Sequence, residues 1–249
     1  MEKGQLDIKL IALDMDGTLL NDHHEVSEEN QRAIREAEAK GVKVVLSTGR
    51  NLATCRDYAV SLELSSYLVT INGAEIYGPE GDLVERNPVS LPLVEWMFDL
   101  SKKYNTHFWA ISTERVYRRE MPENLAGQEW LKFGFDIPDD AVREVVLKLL
   151  REKKELEISN SAPTNIEVNA IGINKAEALK KVCGFLGIGM ENVMAVGDSL
   201  NDMMMIKEAG LGVAMGNAQP VVKDEADWVT STNNESGVAK AIEEWVLNK

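Results

Sequence analysis

The stretch that decides the fold is Leu-Ile-Ala-Leu-Asp-Met-Asp-Gly-Thr-Leu-Leu at residues 10–20. A short apolar run of this kind is typical of a buried strand, and it ends at two carboxylates, Asp14 and Asp16. Side chains two residues apart in an extended chain point the same way. Ligands bind at the carboxyl ends of strands in open α/β sheets, so we expect a site here. The alternative is an Asp-Gly turn with two solvated acids.

Strands and helices alternate in the first and last parts of the chain, and the middle third has a different pattern. Apolar runs at 42–46, 67–71, 193–196, 212–214 and 228–230 follow or precede amphipathic segments, which predicts an α/β domain with a parallel sheet. Between 82 and 168, hairpin signals mix with two helices, at 90–104 and 138–153. We therefore expect a core at 1–81 and 169–249 and an inserted α+β domain at 82–168.

The middle third also holds most of the aromatic residues, which we expect to be core because aromatics dominate core burial. The segment 121–134 has no clear assignment. A substrate-facing loop and a packed connection are both compatible with its sequence, and the second is favoured.

Composition limits the classes of partner. The net charge is −14, from 41 acidic and 27 basic residues, which disfavours nucleic acid and anionic membranes. The two cysteines, Cys55 and Cys183, form no metal-binding or redox pattern. Free thiols and the lack of an apolar N-terminal signal predict a cytoplasmic protein. The sequence makes no prediction of oligomeric state.

Three strand ends carry polar groups that would meet at one edge of a parallel sheet. The first has Asp14 and Asp16, the second has Thr48 and Gly49, and the third has Asp198, Asn201 and Asp202. Converging carboxylates hold a proton or a cation. Oxygen ligands without Cys or His favour Mg²⁺.

Lys175 adds positive charge at a predicted helix N-terminus, where anions are also attracted. Taken alone, it would be an ordinary solvated lysine. Together with an acid cluster, a hydroxyl and a backbone N–H, it predicts a site for a phosphoryl group. No Ser-His or Cys-His pair accompanies the acids, which suggests a carboxylate nucleophile and an aspartyl-phosphate intermediate.

The motifs Asp-Met-Asp-Gly-Thr (14–18), Ser-Thr-Gly-Arg (47–50), Lys175 and Gly-Asp-Ser-Leu-Asn-Asp (197–202) resemble, in order, the four motifs of the haloacid dehalogenase superfamily. Val-Ala-Met-Gly-Asn-Ala (213–218) resembles its Cof-type branch of sugar-phosphate phosphatases. The resemblance implies a Rossmann-like core and a cap domain inserted between the second and third motifs. It also implies Mg²⁺ as cofactor and a small phosphorylated metabolite as substrate.

The resemblance assigns roles that spacing alone does not settle. It implies Asp14 as the nucleophile, Asp16 as general acid and then base, Thr48 and the Gly49 N–H as phosphate ligands, Lys175 as the neutralising cation, Asn201 on the phosphate or a metal-bound water, and Asp14, the Asp16 carbonyl and Asp198 around Mg²⁺ with Asp202 in support. Three further candidate residues are weaker: Arg50, His23 and His24. Arg50 reaches phosphate or pairs with an acid, and His23-His24 is expected to be a solvated loop pair.

Two other functions remain open from the sequence. A phosphomutase would share the aspartyl-phosphate and pass the phosphoryl group back to a sugar. A phospho-accepting signalling protein would hold the phosphate without turnover. The leading Asp on the first strand and the large insertion argue against the signalling protein. Release of free phosphate without a bisphosphate activator would separate a phosphatase from a phosphomutase.

Overall fold

The computed structural model describes residues 6–248. Within that range the strands form two sheets, and the strands are β1 Leu10–Leu13, β2 Lys43–Ser47, β3 Leu68–Thr70, β4 Glu75–Tyr77, β5 Leu83–Arg86, β6 His107–Ser112, β7 Val116–Arg118, β8 Trp130–Asp136, β9 Leu156–Ser159, β10 Asn165–Ala170, β11 Val193–Gly197, β12 Leu211–Ala214 and β13 Trp228–Val229. The α-helices are α1 Glu28–Ala39, α2 Leu52–Ser61, α3 Leu91–Lys103, α4 Asp140–Glu152, α5 Lys175–Leu186, α6 Met203–Glu208, α7 Pro220–Glu225 and α8 Gly237–Ile242, followed by a π-helical turn at Glu243–Leu247.

The first sheet has the order β13-β12-β11-β1-β2-β3-β4-β5. The strands from β13 to β3 are parallel, and β4 and β5 form an antiparallel hairpin at one edge. Strand β1 is buried on both faces: Leu10 and Ala12 pack with α5, and Ile11 and Leu13 join the larger core on the other side. The predicted buried strand and parallel sheet are confirmed, and the carboxyl ends of β1, β2 and β11 share one edge.

Two helices, α1 and α5, begin with a side-chain cap. The Ser27 side chain accepts a hydrogen bond from the Asn30 N–H at the start of α1, and the Asn174 side chain accepts one from the Glu177 N–H at the start of α5. Each cap satisfies a backbone donor that the first helical turn leaves free. The second cap fixes where α5 begins and so places Lys175 at its first position.

The second sheet is antiparallel, in the order β7-β6-β8-β10-β9, and α3 and α4 cover one face. The predicted α+β unit is therefore confirmed, but one expectation was wrong. Residues 130–136 are strand β8 at the centre of this sheet, not a connection. The missed signal is the alternation of Phe133 and Phe135, which are buried in the core, with Lys132 and Gly134, which face the other side.

Strand pairing shows to which sheet the two ends of the predicted inserted domain belong. Leu83–Arg86 pairs with the first sheet, and Asn165–Ala170 pairs with the second. The chain thus changes sheet after Arg86 and after Ala170, and the division into domains at 82 and 168 stays a prediction. Among residues 6–248, no helix is both long and apolar enough to cross a bilayer.

Candidate active site

Three aspartates and one lysine meet at the carboxyl edge of the first sheet. Asp14 directly follows β1, where its N–H donates to the Val196 carbonyl at 3.0 Å. Lys175 Nζ donates to Asp14 Oδ1 at 2.5 Å and to Asp202 Oδ1 at 2.7 Å, and it is fully buried. Asp198 follows β11 and accepts a hydrogen bond from the Thr18 hydroxyl at 3.0 Å. The first, third and fourth sequence motifs therefore share one small volume.

This cluster is short of positive charge. Burial raises the pKa of Asp14 well above its ordinary value. The Lys175 ammonium opposes that rise, and repulsion from Asp202 and Asp198 adds to it. Burial and the charge of Asp202 raise the pKa of Asp198 to about 6. Burial alone lowers the pKa of Lys175, but the carboxylates of Asp14 and Asp202 outweigh it and raise that pKa. A further cation would relieve the repulsion among the carboxylates.

The donor set fits a hard divalent ion. Asp14, Asp198 and Asp202 each offer an oxygen atom, and these atoms lie within 4.8 Å of one another. Gly17 leaves room beside them, because a Cβ there would lie 2.7 Å from Asp198 Oδ2. Asp202 is the most engaged of the three: its Oδ2 accepts from the Asp198 and Ser199 N–H groups at 2.9 and 3.0 Å. Carboxylate oxygens of this kind suit Mg²⁺.

Asp16 lies apart from this cluster. Its carboxylate accepts two hydrogen bonds from Arg50, at 2.8 Å from Nε and 2.6 Å from Nη2. Arg50 therefore pairs with an acid, which is one of the two alternatives that the sequence allows. His24 is exposed on its loop, with Nδ1 3.8 Å from Asp16 Oδ1. The Asp16 side chain is half exposed and lines the cleft.

The Thr48–Gly49 loop is held by a strained turn. Thr48 is buried, and its hydroxyl accepts a hydrogen bond from the Arg50 N–H at 3.1 Å. The turn Ile71–Gly73 supports the loop, since the Asn72 N–H donates to the Thr48 carbonyl at 2.9 Å. Ile71 has a φ of 51° and Asn72 a φ of 58°. A left-handed β-branched residue is strained, and such strain concentrates at functional sites.

Asn72 also joins this loop to the fourth motif and to the second sheet. Its Oδ1 accepts from Asn201 Nδ2 at 3.4 Å, and its Nδ2 donates to Glu167 Oε2 at 2.6 Å. Glu167 pairs with Lys132 at 2.5 Å, and both side chains are almost fully buried. A Cβ on Gly49 would lie only 3.0 Å from Asn72 Oδ1 and 3.3 Å from Lys132 Nζ. The second sheet therefore places a lysine directly beside the Gly49 backbone.

The two sheets enclose a cleft of about 520 Å³. Asp14, Asp16 and Gly49 line it from the first sheet. The residues that line it from the second sheet were not singled out by the sequence, and they include Trp109, Arg118, Lys132, Asn165 and Glu167. The sequence pattern that could have found them is the alternation of core and non-core residues along the strands. Lys132 and Glu167 occupy non-core positions of β8 and β10.

Comparison with known proteins gives the family of this fold and site. The profile of the haloacid dehalogenase-like hydrolases matches residues 11–140 and 119–242. The 5-amino-6-(5-phospho-D-ribitylamino)uracil phosphatase YcsE of Bacillus subtilis (strain 168) is 62% identical over 247 residues, which cover 99% of each chain. A second phosphatase of that printed activity and organism, YitU, is 34% identical and covers 95% of this chain and 97% of its own.

A solved structure agrees with the sequence relatives. A haloacid dehalogenase-like hydrolase from B. subtilis superposes with a TM-score of 0.88 at 28% identity, over 96% of this chain and 100% of the other. The predicted family is thereby confirmed. The chain belongs to the haloacid dehalogenase-like hydrolases and is a phosphatase, a hydrolase of phosphoric monoesters.

Proposed function

We propose that this chain is a Mg²⁺-dependent phosphatase that hydrolyses 5-amino-6-(5-phospho-D-ribitylamino)uracil. The observation that carries the chemistry is the buried cluster of Asp14, Lys175, Asp198 and Asp202, of which Asp14 lines the cleft. The substrate is inferred from the relative at 62% identity over nearly all of both chains. The 34% identical relative with the same printed activity supports that choice.

In the proposed mechanism, an oxygen of Asp14 attacks phosphorus and the ester oxygen leaves. Asp16 gives its proton to the leaving oxygen and later takes one from the water that hydrolyses the aspartyl-phosphate. The Arg50 pair fixes the direction of the Asp16 carboxylate at the side of the cleft. Asp14 and Asp16 thus divide the work between a buried nucleophile and an exposed acid–base group.

The other motif residues bind the phosphoryl group and the metal. The Thr48 hydroxyl, the Gly49 N–H, Lys175 and Asn201 bind phosphate oxygens, which places donors where negative charge develops. Asp14, the Asp16 carbonyl and Asp198 hold Mg²⁺, and Asp202 orients this shell through Lys175 and two backbone N–H groups. When bound, Mg²⁺ neutralises charge between the carboxylates and the dianionic ester.

Asp14→Asn tests this mechanism. We expect a loss of turnover of roughly 10⁴- to 10⁶-fold, because the nucleophile is removed, measured as phosphate released from the proposed substrate. Asp7→Asn, an exposed carboxylate outside the cleft, is the control. Chelation by EDTA is expected to stop turnover, and added Mg²⁺ to restore it. Full activity in EDTA would contradict the metal's role.

Product analysis separates the two alternatives. Phosphate release without a bisphosphate activator excludes a phosphomutase, and the absence of a stable phosphoprotein excludes a signalling acceptor. We infer a small phosphorylated metabolite as the only ligand class, with neither nucleic acid nor membrane as partner, because the surface is acidic. The free, buried thiols of Cys55 and Cys183 are compatible with the proposed cytoplasmic location.

A further inference from the structure

We infer that Trp109 and Arg118, on the second sheet, bind the planar, carbonyl-bearing ring of the leaving group. This inference rests on the proposed function, because it assigns the part of the substrate that lies away from the phosphate. The ligand class that it names is a phosphorylated polyol joined to a heteroaromatic ring. Neither residue belongs to the sequence motifs.

Trp109 is built as a flat platform. It lies on β6 opposite Gly134 of β8, and a Cβ on Gly134 would be 2.1 Å from the indole Cε2 and 2.2 Å from Cζ2. The indole therefore lies against the Gly134 backbone, where any larger residue would displace it. Its strand neighbours Phe108 and Ala110 point into the core on the opposite face. Trp109 is half-buried and lines the same cleft as Asp14 and Asp16.

Arg118 supplies donors beside this platform. It lies on β7 directly opposite Trp109, is exposed, and lines the cleft. Within residues 6–248 its guanidinium has no hydrogen bond, ion pair or ring contact, whereas Arg50, the other arginine of the cleft, is held by Asp16. A free guanidinium that lines a cleft is suited to donate to ring carbonyl oxygens.

The distance between the phosphate site and Trp109 fits the proposed substrate. Lys132 on β8 lies beside Gly49, where the phosphate is proposed to bind, and Glu167 and Asn165 on β10 add polar groups. Trp109 and Arg118 lie one and two strands farther from β8, about 5 and 10 Å away at the usual strand spacing. The polar groups of β10 lie on the other side of β8, so the polyol spans the distance from the phosphate site to the indole and the flat ring reaches the indole and the guanidinium. A plain sugar phosphate would leave the indole and the guanidinium without partners.

The test compares two esters that differ only in the ring. We measure kcat/KM for 5-amino-6-(5-phospho-D-ribitylamino)uracil and for D-ribitol 5-phosphate in the wild type and in each variant. Stacking of one base on an aromatic side chain is worth roughly 5- to 100-fold. We expect Trp109→Ala to lower kcat/KM for the ring-bearing ester by that much more than for the ring-free ester. Trp109→Phe is expected to keep most of the preference.

Arg118→Ala is the variant that does not disturb packing, because Arg118 is exposed. We expect it to lower the preference for the ring-bearing ester about tenfold, the usual effect of a charged hydrogen-bond donor. Trp96→Ala is the matched control: Trp96 is a half-buried tryptophan on α3 that contacts Lys153 and does not line the cleft. It should change the preference by less than about twofold, within the usual scatter for sites that do not couple.

A binding measurement separates this inference from the proposed function. Calorimetry compares the phosphate-free 5-amino-6-(D-ribitylamino)uracil with D-ribitol. If the ring-bearing compound binds more tightly and Trp109→Ala removes the difference, the inference stands, even if the wild type releases no phosphate from the proposed substrate. If the wild type hydrolyses that substrate but Trp109→Ala and Arg118→Ala lower both esters equally, the inference is overturned and the proposed function remains.

Discussion

Two lysines are buried beside the same cleft, and their charge environments differ. Lys175 comes from the first sheet's side and lies between Asp14 and Asp202, with Asp198 nearby. Lys132 comes from the second sheet and pairs with Glu167 alone. The first group has three carboxylates for one ammonium, and the second is balanced. The excess charge in the first group explains why it can take a cation, whereas the second is complete as an ion pair.

The pKa directions express the same difference. Burial and neighbouring carboxylates raise the pKa of Asp14 well above its ordinary value, despite Lys175. Burial also opposes ionisation of Glu167, but the Lys132 ammonium and the hydrogen bonds from Asn72 and Ser161 outweigh it and lower that pKa. A surplus of like charge therefore marks the reactive group, and a neutral pair marks the group that joins the two sheets.

Among the changes that compare the two lysines, Lys175→Met is expected to have the largest effect. The change leaves three carboxylates without a cation and removes a donor from the phosphate site, so we expect kcat to fall by roughly 10²- to 10³-fold or more. The measurement is phosphate release at saturating Mg²⁺. Lys180→Met removes an exposed lysine of the same helix and serves as the control. A kcat within tenfold of wild type would show that the metal alone balances the cluster.

Lys132→Met is expected to lower the free energy of unfolding. The change leaves the buried Glu167 carboxylate without its cation, which typically costs about 3–5 kcal/mol, measured by urea unfolding. The double variant Lys132→Met/Glu167→Leu should recover much of that loss, since an apolar pair of similar volume replaces a buried ion pair at little cost. Lys102→Met, which breaks an exposed pair with Asp99, should cost about 0–1 kcal/mol. Equal costs for the two single variants would contradict a structural role for the Lys132 pair.

The difference between the two lysines also explains what the sequence could and could not predict. Lys175 follows a helix cap, and the acids that hold it end apolar strands, so local patterns and the resemblance bring all of them to one edge. Lys132 has no local signal of this kind, because its partner Glu167 lies on another strand and the sequence of its own strand favours a packed connection. Pairing between distant strands decides that site. The same holds for Trp109, whose exposure to the cleft depends on Gly134 across the sheet.

The smallest expected effect is on the pH dependence of stability. The contributions of Glu167 and Asp14 to stability should change with pH in opposite directions. The pKa of Glu167 in the folded state is below its ordinary 4.5, so ionised Glu167 stabilises the fold above about pH 4.5, and this contribution is lost as the pH falls. We expect the cost of Glu167→Gln in urea unfolding to be largest at pH 7 and to shrink toward pH 3.

The raised pKa of Asp14 predicts the opposite pH dependence of stability. Because the folded state raises the pKa of Asp14 above its ordinary 3.8, ionisation of Asp14 is less favourable in the folded than in the unfolded chain, and its contribution to stability falls as the pH rises above 3.8. In chelator at pH 7, Asp14→Asn should therefore be more stable than wild type, and the gain should vanish near pH 3. Saturating Mg²⁺ should remove the gain at pH 7, because the cation stabilises only the ionised wild-type cluster. A variant that is less stable than wild type in chelator would mean that the Lys175 pair outweighs the repulsion, and the contrast between the two lysines would fail.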